Sequence, residues 1–365
     1  MKKVILTISY IIAAIAVIGC AKTETIGPND AYQRYFEAWM HVNYPDATPS
    51  GLGIYIIEDQ QGSGVKVGEE GYILLDYKVT DLEGNISSYT DALTAQQLGK
   101  YNQTTYYGPK FLTTTKTTLP AGLRNAVVGQ QVGTSRKVII PSWLMSYKSY
   151  DTEEDYLNPP LKKNEEYDAS SFSNTIYEFT IAGYTEDMEK WQIDSIGRFF
   201  ANRTVRIDGK PANETFVTST GAQMTAADSV STGFYYKQIQ APVDTATFAK
   251  DTTVYINYVG KLLNGLVFDT NVERVAKDNG LYSASRTYKP TKIKWGEEYS
   301  ELTMGDDGSS VIAGFAKTIW EMRAMEKGVG VFYSTLGYSY SGSGSGIPGY
   351  APLIFEIELV AKPEE

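Results

Sequence analysis

Histidine and cysteine each occur once in this 365-residue chain, and that scarcity excludes most familiar catalytic kits. Serine–histidine triads, cysteine–histidine dyads and histidine-rich zinc sites all need side chains the chain hardly has. Any catalysis must proceed without imidazole. The single histidine, His41, lies beside a helically spaced stripe of Tyr32, Tyr35, Phe36, Trp39 and Met40 and reads as a solvated or structural residue. A dense Lys/Arg block is missing too: 33 basic residues stand against 43 acidic ones, a formal net charge of −10. Binding a phosphate backbone needs a basic surface that displaces counterions, so nucleic acid is not expected as a partner.

The length is more than one ordinary domain requires, and it predicts two cored units that can fold without disulfides. The chain opens with "MKKVILTISYIIAAIAVIGC", two lysines and an apolar run ending at Cys20. This is a secretory layout whose apolar core is short for a membrane span. Val17, Ile18 and Gly19 before Cys20 resemble the lipobox of bacterial lipoproteins, which implies a lipidated Cys20, a membrane tether through that lipid and a location in the cell envelope. A plain signal peptide and an uncleaved anchor are the alternatives.

Beyond that segment the chain carries a faint duplication. "SGLGIYIIEDQQGSGVKVGEEGYILLDYKVTDLEGN" from Ser50 and "STGFYYKQIQAPVDTATFAKDTTVYINYVGKLLNG" from Ser231 each read as a Gly-aromatic strand, a polar excursion, a Tyr-bearing strand and a Gly turn. Tyr77 and Tyr258 take equivalent places. Between the copies, Met188, Trp191, Ile193, Ile196, Phe199 and Phe200 predict an amphipathic helix, matching the one around residues 32–40. In the second copy, alternation predicts half-buried antiparallel strands at "VYINYV" and "PLIFEIELV", with Leu353, Phe355, Ile357 and Leu359 on one face and Glu356 and Glu358 on the other. "SSVIAGFAKTIWEM" predicts a short helix using Ile312, Phe315, Ile319 and Met322, with the serines placed to cap it. The expected division is a signal peptide at 1–20, a tether and amphipathic helix at 21–49, a first domain at 50–184, a helical linker at 185–230 and a second domain at 231–365.

The series "YINYVGKLLNGLVFDT", "VIAGF" and "YSYSGSGSGIPGYAPLIFEIEL" resembles the FK506-binding protein (FKBP) family of peptidyl-prolyl cis-trans isomerases over about residues 250–360. The resemblance implies an α+β fold of two FKBP-like domains, each a curved antiparallel β-sheet wrapped on a short helix; the amphipathic helix before each is added by the spacing described above. It implies a prolyl pocket of Tyr258, Phe268, Asp269, Val311, Ile312, Phe315, Tyr338, Ile347 and Phe355. Tyr340 is the alternative to Tyr338 if the loop shifts. Phe315 stands where many relatives place a floor Trp, and Thr291 and Ile293 fall where further aromatics are common. The insertion "NVERVAKDNGLYSASRTYKP" is expected to shape the pocket rim. No cofactor or metal is implied; the implied partners are proline-containing polypeptides, with FK506-like macrolides as possible inhibitors.

The first copy departs from this pattern. "VGTSRKVIIPSWLMSY" resembles the family strand before the Tyr loop, ending at Tyr147, and Leu123 takes the floor position. Ser87 and Ser88 replace the Phe-Asp pair, however, and a long acidic segment replaces the flap, so this copy is expected to keep the fold and isomerise poorly. Asp269 itself reads as a hydrogen-bonding group at the pocket edge, with a turn carboxylate as the alternative. "GDDGSS" around Asp306 and Asp307 reads as a solvated turn, since EF-hand ligand positions are absent. Two functions are compatible with these residues: an envelope prolyl isomerase acting through the second domain, and a non-catalytic chaperone or peptide-binding lipoprotein that keeps the FKBP shape.

Overall fold

The computed structural model describes residues 28–145, 173–201 and 224–364, plus residue pairs 206–207 and 210–211. Cys20, Tyr147 and the acidic segment of the first copy lie outside the described residues.

The elements of the first unit are α1 (Pro28–Asn43), β1 (Tyr55–Gln60), β2 (Tyr72–Thr80), β3 (Ile86–Tyr89), α2 (Ala92–Gln97), β4 (Lys110–Thr113), α3 (Ala121–Val127), β5 (Ser135–Ile140) and β6 (Thr175–Thr185). Helix α4 (Met188–Phe200) leads into the second unit: β7 (Ser229–Ser231), β8 (Phe234–Gln240), β9 (Thr253–Leu262), β10 (Val267–Thr270), α5 (Glu273–Asp278), β11 (Thr291–Lys294), β12 (Thr303–Met304), β13 (Ser309–Ser310), α6 (Ala313–Glu321), β14 (Lys327–Phe332) and β15 (Leu353–Val360). The first sheet runs β1-β5-β6-β2-β3 with β4 also on β2. The second runs β13-β12-β11-β9-β15-β14-β8-β7 with β10 also on β9. Strand for strand, β8-β14-β15-β9-β10 repeats β1-β5-β6-β2-β3, and every pairing is antiparallel. The fold is therefore α+β, with the same sheet built twice.

The duplication extends to side chains. Tyr77 N–H donates to Thr90 Oγ1 at 2.8 Å, as Tyr258 N–H donates to Asn271 Oδ1 at 2.8 Å. Tyr101 stacks on Tyr107 and Tyr282 on Tyr288, each pair with centroids 5.4 Å apart. The insertion after Phe-Asp is thus not peculiar to the second copy, because α2 and its loop repeat α5 and its loop. In both copies a glycine in the first turn of the inner helix lets the helix touch the sheet. A methyl group on Gly122 would lie 2.3 Å from Ile140 Cγ2, and one on Gly314 would lie 2.3 Å from Phe332 Cδ2.

Each sheet is covered on both faces. Inside the curve, α3 packs Leu123, Ala126 and Val127 on Ile73, Val138 and Ile181, while α6 packs Phe315, Ala316 and Ile319 on Ile256, Phe332 and Ile357. Outside it, Phe36 and Met40 of α1 cover Ile139 and Ile176, and Ile196 and Phe200 of α4 cover Tyr235, Val331 and Ile354. This second cover corrects the expectation of a half-buried closing strand. Ile354 is buried on the face assigned to solvent, and Glu356 beside it is buried and paired with Lys261 at 2.8 Å.

Three smaller expectations change as well. Tyr35 is exposed although it belongs to the expected packing stripe of α1, whereas the exposed His41 fits the solvated reading. The fully buried stripe of α4 is Met188, Gln192, Ile196 and Phe200, with Phe199 half-buried against the same cluster, so the side read from the sequence is narrower than expected and takes in a glutamine. Gln192 belongs there because its Oε1 accepts the Ser334 N–H at 2.7 Å, satisfying a buried donor. Ser309 and Ser310 do not cap α6. They pair in a hairpin with β12 across the Asp306–Asp307 turn, and the helix starts from an extended Ile312.

Phe332 is fully buried and cannot swing away, so Gly314→Ala should destabilise the protein by about 1–3 kcal/mol. The check is a lower denaturant midpoint with an unchanged slope.

Candidate functional site

The second sheet brings the nine candidate residues to one place. Strand β9 carries Tyr258, and its register sets Gly260 opposite Asp269 of β10 on one side and Phe355 of β15 on the other. Gly260 leaves room for what meets there, since a methyl group on it would stand 2.6 Å from Phe268 Cε2 and 3.0 Å from Phe355 Cε1. Phe268 and Phe355 accordingly meet edge-on with centroids 5.6 Å apart. Phe315, in the first turn of α6, meets Phe355 at 4.9 Å and Tyr258 at 5.5 Å, both edge-on. Phe332 stacks behind Phe355 at 5.9 Å. Such pairs add about 0.5–1.5 kcal/mol each beyond burial and fix ring orientation.

Val311, Ile312, Tyr338 and Ile347 pack against the same cluster. Tyr338 and not Tyr340 faces it: Tyr340 is 71% exposed, while burial and then the charge of Asp269 push the Tyr338 phenol above the ordinary tyrosine value. Ile347 is buried at the root of the flap, where it exchanges backbone hydrogen bonds with Ser343 at 2.9 and 3.1 Å. Of the two further positions considered, Ile293 is wholly inside the core. The Thr291 hydroxyl accepts from Asn271 Nδ2 at 3.0 Å, and that amide also donates to the Ile256 carbonyl at 2.8 Å.

The polar edge has three members. Tyr258 donates its hydroxyl proton to Asp269 Oδ2 at 2.8 Å, Arg286 Nη1 donates to Asp269 Oδ1 at 2.7 Å, and Arg286 Nη2 donates to the Tyr258 hydroxyl oxygen at 3.2 Å. The Thr270 N–H also reaches Asp269 Oδ1 at 2.9 Å. Asp269 is therefore more than a turn carboxylate. With its oxygens engaged by an arginine, a phenol and an amide, it fixes the ring of Tyr258 and is ill placed to deliver a proton. Burial, then the charge of Asp269 and its hydrogen bond, push the Tyr258 phenol well above the usual tyrosine value, against the opposing pull of Arg286. Burial works against the Arg286 charge, yet the bond to Asp269 and that carboxylate's charge leave its pKa raised.

Sequence reasoning missed Arg286 and Gly260. Nothing in "SASRTYKP" marks one arginine as a partner of an aspartate 17 positions earlier. Gly260 did carry a signal, because a glycine inside a strand often marks a close approach by another group.

The register also locates what the first copy lacks. Val79 opposes Ser88 and Tyr177, as Gly260 opposes Asp269 and Phe355. The first copy therefore has Val79 for Gly260, Ser87 and Ser88 for Phe268 and Asp269, and Leu123 for Phe315.

Comparison with known proteins agrees with this geometry. Residues 245–360 match the family model for FKBP-type peptidyl-prolyl cis-trans isomerase. FK506-binding protein 2 of Dictyostelium discoideum is 30% identical over 142 residues, covering 39% of this chain and 85% of that protein. The chain belongs to the FKBP-type peptidyl-prolyl cis-trans isomerase family. Among solved structures, FkpA from Escherichia coli is 22% identical with a TM-score of 0.28, over 48% of this chain and 62% of that one. The three FKBP domains of wheat FKBP73 are 12% identical with a TM-score of 0.27, over 84% of this chain and 94% of that one. At such scores neither alignment bears on the site.

A raised tyrosine pKa means that its stabilising contribution is complete below the unfolded value near 10 and is lost as pH climbs through the folded value. Tyr258→Phe should therefore flatten the loss of stability on the alkaline side. The check is the melting temperature of parent and variant from neutral pH to about pH 11.

Proposed function

We propose that the protein is a prolyl isomerase of the cell envelope, lipid-anchored at Cys20, whose second unit rotates Xaa-Pro bonds in exported polypeptides. The observation that carries this reading is the convergence of Tyr258, Phe268, Phe315 and Phe355 on one ring-lined site, closed by Val311, Ile312 and Ile347.

The chemistry asks little of the protein in reactive groups. Rotation about a peptide bond must overcome a barrier of about 18–20 kcal/mol set by resonance, and no bond is broken. The twisted imide has lost that resonance and its charge separation, so an apolar, water-poor wall suits it better than it suits the planar ground state. Lowering the barrier by about 7 kcal/mol would accelerate rotation by roughly five powers of ten. In this scheme Phe268, Phe315 and Phe355 supply the wall, Ile347 and Tyr338 hold the prolyl segment from the flap side, and Asp269 with Arg286 orients Tyr258.

The first unit, with Val79, Ser87, Ser88 and Leu123 at the corresponding positions, lacks most of that wall. In our reading it isomerises poorly and serves to hold an unfolded client or to space the second unit from the membrane. The competing view, a purely binding lipoprotein, drew weight from Thr291, which is polar where relatives often have an aromatic residue. The hydrogen bond from Asn271 to Thr291 gives that threonine a structural use, and so weakens the competing view.

In a protease-coupled assay on a short Pro peptide, the full chain should accelerate isomerisation and an FK506-like macrolide should compete. Phe268→Ala should cost more activity than Asp269→Asn; equal rates for both variants and the parent would refute the assignment. Separately, Cys20→Ala should move the protein from the membrane fraction to the soluble one, and continued membrane retention would refute the anchor.

A further inference from the structure

The flap over the candidate site is tied to the first unit at its middle and at its C-terminal end. Its sequence, "SGSGSGIPGY" from Ser341 to Tyr350, is rich in glycine and serine, a composition with high conformational freedom. Gly342 and Gly344 both sit at positive φ. Its local hold is a few backbone bonds, Ser343 with Ile347 at 2.9 and 3.1 Å and the Tyr350 N–H to the Ser339 carbonyl at 2.8 Å, on a backbone that glycine leaves loose between them.

The loop after α2 of the first unit reaches the middle of this flap. The Tyr106 N–H donates to the Ser345 carbonyl at 2.8 Å, and the Thr105 hydroxyl donates to Ser345 Oγ at 3.3 Å. Gly346 faces the same loop: a methyl group there would lie 2.9 Å from the Thr104 carbonyl oxygen and 3.8 Å from Phe268 Cβ. Gly346 thus lies near both the loop and the rim residue Phe268, and the Tyr106 side chain packs against the core cluster of the second unit. At the far end, the Tyr350 ring meets Tyr72 of β2 at 5.3 Å and Phe111 of β4 at 5.9 Å, both edge-on. Tyr350 holds a φ of 62°, a conformation L side chains rarely adopt; the ring contacts add to the bond from its N–H to the Ser339 carbonyl at 2.8 Å in holding it there.

The loop that does this is the first unit's copy of the loop bearing Arg286. Aligned on their stacked tyrosine pairs, Tyr101–Tyr107 and Tyr282–Tyr288, Thr105 takes the place of Arg286. One copy reaches the pocket from within the second unit and fixes Asp269; the other reaches it from the neighbouring unit and fixes the flap.

We infer that the site is a two-unit one: Thr104, Thr105 and Tyr106 are positioning residues that pre-order the flap and wall the cleft beside Phe268, and so set the affinity for the chain flanking the proline. This rests on the prolyl-isomerase reading above. Ordering a flexible flap on binding costs affinity, and a flap ordered in advance avoids that cost. The expected signature is therefore a change in KM with kcat preserved.

The test uses the full chain with Cys20→Ala as background, leaving no other cysteine. Thr105→Cys with Ser345→Cys replaces two hydroxyls 3.3 Å apart with thiols whose oxidation to a reversible disulfide is followed by thiol titration. Thr105→Gly with Tyr106→Pro loosens the same contact. In the loosened variant, amide exchange across residues 343–349 should quicken by roughly tenfold. Its KM for a Pro peptide should rise by about three- to tenfold with kcat within about twofold. The oxidised cysteine pair should bind as well as, or better than, its reduced form. A loss of turnover on oxidation that reduction restores would overturn the inference, because it would make the loop a plug. Unchanged flap exchange in the loosened variant would overturn it too. If flap exchange quickens but no form, parent included, binds or turns over the peptide, the isomerase reading fails and takes the affinity claim with it, while the tie itself stands.

Discussion

One missing side chain organises the second unit. Gly260 sits on the central strand between Asp269 and Phe355, and only a residue without a Cβ lets the rings of Phe268 and Phe355 close over that strand. With the gap filled, one ring would have to leave and the edge-on contacts through Phe315 and Tyr258 would lose their centre. The first unit is the natural contrast. There Val79 occupies the position and is buried, the Phe-Asp pair is Ser87–Ser88, and of the polar trio only the tyrosine is kept, as Tyr77, with Ser88 and Thr105 in the places of the aspartate and the arginine. The same sheet can thus carry a ring-lined site or a plain core, according to a handful of residues on two adjacent strands.

The two copies also divide the structural labour. Each sheet has a helix inside its curve and another outside, because apolar residues also lie on its outer face, Ile139 and Ile176 in the first and Val331 and Ile354 in the second. The outer helix α4 follows the last strand of the first unit directly and lies on the second sheet, joined through Gln192 to the backbone at Ser334. The turn that begins at Ser334 leads to Tyr338 and the flap. The first unit is therefore connected to the candidate site of the second through the helix before it, through the loop at 104–106 and through the tyrosine–phenylalanine contacts on Tyr350. Part of the support of that candidate site thus comes from residues before 231.

Much of this was legible in the sequence. Alternation at "VYINYV" located β9, helical spacing located α1, α4 and α6, and the ordered motifs from Tyr258 to Phe355 named side chains that the fold brings together. What was not legible has physical reasons. The closing strand looked half-exposed because periodicity cannot register a helix that arrives from elsewhere in the chain, and Gln192 looked out of place because its partner is a backbone amide 142 residues away. The serines before α6 are good capping residues, but the hairpin partner at Thr303–Met304 claimed them. Arg286 was hidden for the same reason as Gln192: an ion pair across a loop leaves no trace in spacing.

The most direct test of the central claim is two-dimensional exchange NMR of cis–trans interconversion in a Pro peptide, with catalytic amounts of the full chain or its Gly260→Ala variant. The account predicts rapid interconversion with the parent and near loss of it with the variant, while circular dichroism still reports a folded protein. No acceleration by the folded parent, or undiminished acceleration by the variant, would contradict it.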